Sequence, residues 1–564
     1  MDDMSSAATT PGSSPGPSRG MPPVYAGSDP AGAQRADLAR GSEPAPDAVP
    51  GLEPVTVGVG PLTIDDVVRV ARHGAPVRLA EDSLAEVRRT REVIRGLADD
   101  SEPHYGVSTG FGALATRHIP VDMRRQLQRS LVRSHAAGSG PEVEREVVRA
   151  LMLLRISTLA TGRTGIREET LTTYVAMLDA GITPVVHEYG SLGCSGDLAP
   201  LSHCALALMG EGLVRDANGE RMPAADALAA AGIRPVELEE KEGLALINGT
   251  DGMLGMLCLA IHDLRELLVV ADVAAAMSVE GLLGTDDVFA ADLHALRPQP
   301  GQAVSAANIR KVMAHSGIRE SHRTEACTRV QDAYSLRCAP VVAGGARDTL
   351  DHAVRVAGWE LASAVDNPVV TLDGRVESNG NFHGAPVAYV LDFLAIVAAD
   401  VASMSERRTD RFLDTARNHG LPPFLADDPG VDSGHMIAQY TQAAIVSEMK
   451  RLAAPASVDS IPSSAMQEDH VSMGWSAARK LRRAVDGLAR VLAVEVLTAA
   501  RGIQLRAPEA PAPATAAVVA VLTAADAGRP GPDRWLAPEI ETAHRLVLDG
   551  SIRRAAESEA GPLT

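Results

Sequence analysis

Aromatic side chains are scarce in this chain, at 3% of 564 residues, so its core has to be built mostly from alanine, leucine and valine. Such a core favours close-packed helices over a β-sandwich, whose strands are rich in aromatic and β-branched residues. Cysteine is also sparse. The five, at positions 194, 204, 258, 327 and 338, form neither a CxxC pair nor the dense framework of a secreted domain, and they point to a reducing compartment. Positive charge is in deficit, with 53 Lys and Arg against 72 Asp and Glu, a formal net charge of −19 and a pI near 5.3. That balance argues against a general binder of nucleic acid or anionic membrane and fits a cytoplasmic enzyme. The start, Met-Asp-Asp-Met, has no basic stretch leading into an apolar run, so no secretory signal is read there. There is no HExxH, no pairing of histidines with cysteines at zinc spacing, no Gly-Lys-Ser/Thr phosphate loop and no internal repeat of 20 to 50 residues. No metal site is therefore expected.

What is present is mostly helical patterning. Residues 1–52 are rich in Pro, Gly, Ser, Ala and Asp; they cannot bury enough surface to offset the entropy of ordering, and are read as a disordered tail ahead of one large domain, 53–564. Thr63 is placed to cap a short helix ending before Gly74. Ser83 with Glu86 makes a capping-box pattern ahead of Leu84, Val87, Ile94 and Leu97. Leu481, Val485, Leu488 and Leu492 form a further stripe, whose ordinary role is core packing. The most apolar segment, 254–283, is interrupted by Asp263, Arg265, Glu266, Asp272 and Glu280, and reads as a buried bundle helix rather than a membrane span. Pro538 in a first turn and Gly550 as a stop bound the last clear helix.

The chain is organised around GSLGCSGDLAPLSH, residues 190–203. A lone Gly-Xaa-Ser-Gly is ordinarily a turn, and a hydrolase nucleophile elbow would need glycine where Asp197 stands. A third reading is chemical. Gly196 has no Cβ and can bring its amide nitrogen close to a preceding carbonyl. If that nitrogen attacks the carbonyl of Cys194 and two waters leave, Cys194, Ser195 and Gly196 close into a methylidene-imidazolone ring with an electrophilic carbon supplied by Ser195. Asp197 is a suitable N-cap and Pro200 suits a first turn, so a helix should follow with its positive pole beside the ring.

The whole of this string resembles the signature of the aromatic amino acid ammonia-lyases, in particular their histidine-specific members, and the resemblance extends from about Leu62 to the C-terminal region. Most members carry Ala-Ser-Gly where this chain has Cys194 first; the cyclisation consumes only the carbonyl of that residue, so its side chain stays outside the ring. The resemblance implies a mainly α fold, the long antiparallel helical bundle of the fumarase/aspartase-like lyase superfamily with a smaller N-terminal active-site region. It also implies a homotetramer whose sites draw on more than one subunit. No external cofactor is implied, since the self-formed ring takes that role.

The same resemblance assigns roles to residues that, taken singly, would be ordinary. Tyr105, in YGVSTGFG, matches a tyrosine on a mobile loop near the substrate's β-carbon and is the first candidate for general base. A free phenol titrates near roughly 10, so it needs nearby positive charge or hydrogen bonding. Asn248, in ALINGTDG, matches an asparagine near the ring and substrate carboxylate. Gln331, Tyr334 and Arg337, in VQDAYSLRC, are spaced to share a helical face, with Arg337 suited to a bidentate grip on an α-carboxylate. Phe382, in NGNFHG, matches a pocket-lining phenylalanine. Glu468, in QEDHVSM, matches the glutamate of histidine-specific members, and His135, in LVRSHAAG, stands where phenylalanine-specific members are apolar. An imidazole substrate needs polar partners in an otherwise apolar slot, so His135 and Glu468 favour histidine. The expected activity is elimination of ammonia from L-histidine to give trans-urocanate. The alternatives are a phenylalanine or tyrosine lyase, an aminomutase of the same family, or a helical scaffold without activity.

Overall fold

The computed structural model describes residues 51–98, 104–110, 112–114, 116–324, 327 and 330–564. The tail read over residues 1–52 therefore lies, up to residue 50, outside the described residues. From Leu52 the chain is docked, and Val55–Val57 pairs in parallel with Val77–Leu79.

The fold is mainly helical, and its centre is a set of long helices: Arg145–Ala160, Asp251–Gly281, Ala339–Leu361, Ala385–Leu413 and Gly474–Gln504. Asp251–Gly281 contains the segment read from sequence as a buried bundle helix; it is apolar almost all round and buried along most of its length, as a helix at the middle of a bundle must be. The stripe Leu481, Val485, Leu488 and Leu492 is buried on Gly474–Gln504, which packs against both Asp251–Gly281 and Ala385–Leu413. Small residues let these rods approach closely. A Cβ on Gly255 would meet Ala150 Cβ at 2.9 Å.

Direction within the bundle positions the site. Asp251–Gly281, Ala385–Leu413 and Gly474–Gln504 run the same way, as the contacts of Glu495 with both Ser278 and Arg408 near their far ends require. Ala339–Leu361 returns antiparallel, its end reached by the Thr250 hydroxyl at Glu360. Met436–Leu452 also returns, from His435 beside Thr498 to the level of Asp392. Among the described residues, Ala385–Leu413 is a helix long and apolar enough to cross a membrane, and 61% of its most apolar window is buried in the bundle. The region before residue 250 is smaller in grain, with shorter helices and two- and three-stranded sheets.

The capping signals fared unequally. Thr63 caps Ile64–Ala71 through a reciprocal box with Asp66. Ser83 caps nothing: its helix, Glu81–Ala98, begins two residues earlier, and the Ser83 hydroxyl donates instead to the carbonyl of Ala160 at 2.5 Å. A buried tertiary acceptor has taken the hydroxyl that the local pattern assigned to the helix end. Pro538 lies in the first turn of Ala537–Leu548, and Gly550 follows it with φ of 76°.

Candidate active site

The signature stretch leaves the strand His187–Tyr189, makes a loop and enters the helix Leu198–Leu208. The loop is fixed by partners far away in sequence. The Leu192 carbonyl accepts from Met473 N–H at 2.9 Å, and the Gly193 carbonyl accepts from Gly384 N–H at 3.2 Å and Ser472 Oγ at 2.9 Å. Asp197 N–H donates to the Gly249 carbonyl at 2.7 Å. Gly196 sits against Gly249 with φ of 76°, and a Cβ there would lie 1.9 Å from the Gly249 carbonyl oxygen. Both the left-handed backbone and the contact demand glycine.

Asp197 occupies the N-cap position but does not cap the helix. Its carboxylate turns away and accepts from Ser191 Oγ at 2.8 Å and from Met253 N–H at 2.9 Å, the latter in the first turn of Asp251–Gly281. Burial pushes this carboxyl up to about 7, with nearby Asp251 adding to the shift. The tertiary amide outcompetes the local one because the whole group is buried and must be satisfied there. Beneath lies Arg155, a residue the sequence reading missed. Fully buried, it donates to the carbonyls of Ala245, Asn248 and Val365 at 3.0, 2.7 and 3.1 Å and pairs with Asp251 at 3.1 Å. A lone arginine in the apolar run MLLRISTL was the available signal.

Asp251–Gly281, Ala385–Leu413 and Gly474–Gln504 all start at this loop, through Met253, Gly384 and Met473. With Leu198–Leu208, their N-terminal ends bring positive dipole potential to one place, which favours bound anions and developing negative charge.

The loop carries Cys194 and Ser195 into contact with Glu468. Cys194 Sγ donates to Glu468 Oε2 at 3.0 Å and Ser195 Oγ to Oε1 at 3.3 Å. Burial, and then Glu468, push the Cys194 thiol up to about 12. Ser463, also missed in the sequence, donates its hydroxyl to Glu468 Oε2 at 2.8 Å. His135 ends the helix Arg124–His135 with Nδ1 2.9 Å from the Leu131 carbonyl. Because a carbonyl only accepts, the hydrogen is on Nδ1 and the neutral ring offers Nε2 as acceptor. Burial lowers its pKa, opposed by the Leu131 bond and by the charge of Glu468.

Tyr105 is half-buried and its phenol oxygen accepts from Gly112 N–H at 3.3 Å. Burial raises its pKa, Glu468 and Asp366 raise it further, and the Gly112 bond opposes them. Asn248 is buried; its Nδ2 donates to the Asn367 carbonyl at 3.1 Å, while Oδ1 has no hydrogen-bond partner among the described residues. Phe382 lies two residues before Gly384, whose amide holds Gly193. Glu468 thus touches Cys194 and Ser195 directly, and Asn248 adjoins Gly249, which pairs with Gly196.

Gln331, Tyr334 and Arg337 lie apart from this loop. The helix here is only Tyr334–Arg337, so Gln331 shares no helical face with them; it lies exposed in the preceding segment. Tyr334 is 71% exposed, with the Arg337 guanidinium 4.8 Å over its ring. Asp332 accepts from Thr285 N–H at 2.7 Å, just beyond the far end of Asp251–Gly281. That helix has 31 residues and is about 45 Å long at 1.5 Å per residue, so this corner is separated from Ser195 of the same chain by most of the bundle.

The residues present fit a ring closed from Cys194, Ser195 and Gly196. The third position tolerates only glycine, the serine faces the site, and helix N-termini surround it. A Cys-Ser-Gly turn held against a carboxylate where the N-termini of a long helical bundle converge is the arrangement of an ammonia-eliminating lyase. The chain belongs to the aromatic amino acid lyase family, whose profile matches residues 62–524. It is 66% identical to the histidine ammonia-lyase of Streptomyces griseus over 514 residues, 91% of this chain and all of that one. Among solved structures it resembles a tyrosine aminomutase from Streptomyces globisporus, at 37% identity with a TM-score of 0.86, over 91% of this chain and all of that one. It likewise resembles histidine ammonia-lyase from Trypanosoma cruzi, at 36% identity with a TM-score of 0.82, over 90% of this chain and 96% of that one.

Proposed function

We propose that the chain is a histidine ammonia-lyase, converting L-histidine to trans-urocanate and ammonia at a methylidene-imidazolone formed from Cys194, Ser195 and Gly196. The observation that carries this reading is Glu468, hydrogen-bonded to both Cys194 and Ser195, with its charge opposing the lowering of the His135 pKa. A carboxylate and an imidazole at the reacting centre suit an imidazole side chain and leave a benzyl side chain facing desolvated polar groups. The name of the Streptomyces griseus relative agrees. Five free cysteines fit a reducing cytoplasm.

A ring closed from Cys194, Ser195 and Gly196 would supply an electrophilic carbon that makes the substrate amine a better leaving group. Glu468 accepts from the substrate imidazole, and Asn248 Oδ1 is available to a substrate donor. Tyr105 removes the β-proton; the Gly112 amide and the converging helix N-termini favour its phenolate, against burial and two carboxylates. Gln331, Tyr334 and Arg337 reach the site from a neighbouring chain of a homotetramer, since their own site is about 45 Å of helix away. An apolar stripe for such an assembly exists. Tyr389, Phe393 and Ile396 follow one another at helical spacing on the outside of Ala385–Leu413, with Ile437 and Tyr440 exposed on Met436–Leu452.

The test is direct. Purified protein is given histidine, phenylalanine and tyrosine separately and the ultraviolet absorbance of each unsaturated product is followed, while intact mass is measured in parallel. The expected result is urocanate from histidine and a chain lighter by two waters. Ser195→Ala should keep the helical circular dichroism, lose no water and lose nearly all turnover. A Ser195→Ala chain as active as the parent would end the ring mechanism.

A further inference from the structure

Three side-chain donors meet Glu468, and they are divided unevenly between its oxygens. Oε2 receives Cys194 Sγ at 3.0 Å and Ser463 Oγ at 2.8 Å, whereas Oε1 receives Ser195 Oγ at 3.3 Å. Ser463 is also zipped to Glu468 through the backbone, its N–H donating to the Glu468 carbonyl at 2.8 Å and its carbonyl accepting from Glu468 N–H at 3.3 Å. The turn between them, Ser464–Met466, holds three consecutive residues at positive φ, 50°, 52° and 69°. A side chain disfavours this region because its Cβ crowds the following carbonyl oxygen, so the reciprocal pair holds the turn closed and the carboxylate aimed.

Ring closure treats the three donors differently. The first water carries away the Cys194 carbonyl oxygen with the amide hydrogens of Ser195 and Gly196, as the Gly196 N to Cys194 C bond forms. The second carries away the Ser195 hydroxyl with the hydrogen from its Cα. Cys194 Sγ and Ser463 Oγ are untouched. We infer that Cys194 and Ser463 are positioning residues that hold Glu468 by Oε2, and that ring formation, by expelling the Ser195 hydroxyl, frees Oε1 to accept from the substrate imidazole. In the immature chain the substrate's acceptor is engaged by the group about to be lost. Maturation of the electrophile and exposure of the recognition oxygen are then one chemical event. Burial pushes the thiol up to about 12, so Cys194 stays a protonated donor in neutral solution, a contact that the more common alanine at this position cannot make.

This inference rests on histidine being the substrate, and the experiment separates the two. Parent, Cys194→Ala, Cys194→Ser and Ser463→Ala chains are weighed intact to count matured molecules, and KM and kcat are measured for histidine and for phenylalanine. Cys194→Ala and Ser463→Ala should both mature, raise KM for histidine roughly 5-fold, the loss of about one hydrogen bond, and change kcat and the phenylalanine parameters less. Cys194→Ser, which keeps a donor, should recover most of the lost affinity. Independently of turnover, the infrared S–H band isolated as the difference between parent and Cys194→Ser should move to higher frequency in Glu468→Gln. If histidine is converted but neither KM nor the S–H band responds, the positioning role is overturned. If the parent acts on another amino acid while the S–H band still responds, the substrate reading falls, and with it the role of Oε1, while the hold on Oε2 stands.

Discussion

His135 spends Nδ1 on the carbonyl one helical turn behind it and leaves Nε2 for whatever occupies the site. Replacing it with phenylalanine removes that acceptor and adds apolar volume, so the two effects move selectivity in the same direction. His135→Phe should lower kcat/KM for histidine relative to phenylalanine by roughly 5- to 150-fold, the range for 1–3 kcal/mol at a buried polar contact; a ratio unchanged in steady-state assays would remove His135 from the slot. His203, the last residue of the signature stretch, makes a pH prediction. Its Nε2 accepts from Gly138 N–H at 3.1 Å, and burial, with His187 nearby, lowers its pKa to about 4. Between about 6.5, the ordinary imidazole value, and about 4, the unfolded chain binds a proton here that the folded chain does not. Stability from this group is therefore complete above about pH 6.5 and is lost as pH falls to about 4. His203→Gln keeps an acceptor without the charge, and denaturant titrations across that window should give a shallower acid slope than the parent. Of the residues that a family motif named, Glu468 stands against Cys194 and Ser195 in this chain, while Gln331, Tyr334 and Arg337 lie at the far end of Asp251–Gly281. Arg155 and Ser463 were not legible in the sequence, because their partners lie 96 and 5 residues away and are defined by the fold. Asp197 was legible as a helix start and misread as its cap, since only the buried amide of Met253 explains where its carboxylate turns.

At the scale of elements, Asp251–Gly281 could be read from its apolar run and Gly474–Gln504 from its stripe of Leu481, Val485, Leu488 and Leu492, but their direction could not. Glu495 fixes it: from Gly474–Gln504 it takes Arg408 Nη2 of Ala385–Leu413 at 2.8 Å and Ser278 Oγ of Asp251–Gly281 at 2.7 Å, all three residues being buried. Removing one member of a buried pair strands the other charge, at a cost of about 3–5 kcal/mol. Arg408→Met should lower the thermal midpoint clearly, and adding Glu495→Leu should recover much of the loss; a single variant that melts with the parent would contradict the contact. Spacing misled where an element was too short to carry it. Gln331, Tyr334 and Arg337 satisfy a helical period on paper, yet the helix has four residues and the first of the three lies outside it. The Ser83 pattern failed for the related reason that an acceptor on another helix was nearer than the local one.

At the scale of the molecule, the parallel run of the three rods sends their N-terminal ends to the loop of Cys194, Ser195 and Gly196 and leaves Tyr334–Arg337 at the opposite end. The length of Asp251–Gly281 has a genetic reading. If the ring of one chain is served by the far corner of another, a chain damaged at the ring still owns a sound corner, and a chain damaged at the corner still owns a sound ring. Ser195→Ala and Arg337→Ala, each nearly dead alone, should restore activity when they are made together in one cell and purified as mixed assemblies. With random association of equal amounts, half the rings and, independently, half the corners are intact, so roughly a quarter of the parent activity should return for a site shared by two chains of a symmetric assembly. Mixing the two after purification, without dissociating them, should return none, and co-expression that restores nothing would mean that each chain works within its own length.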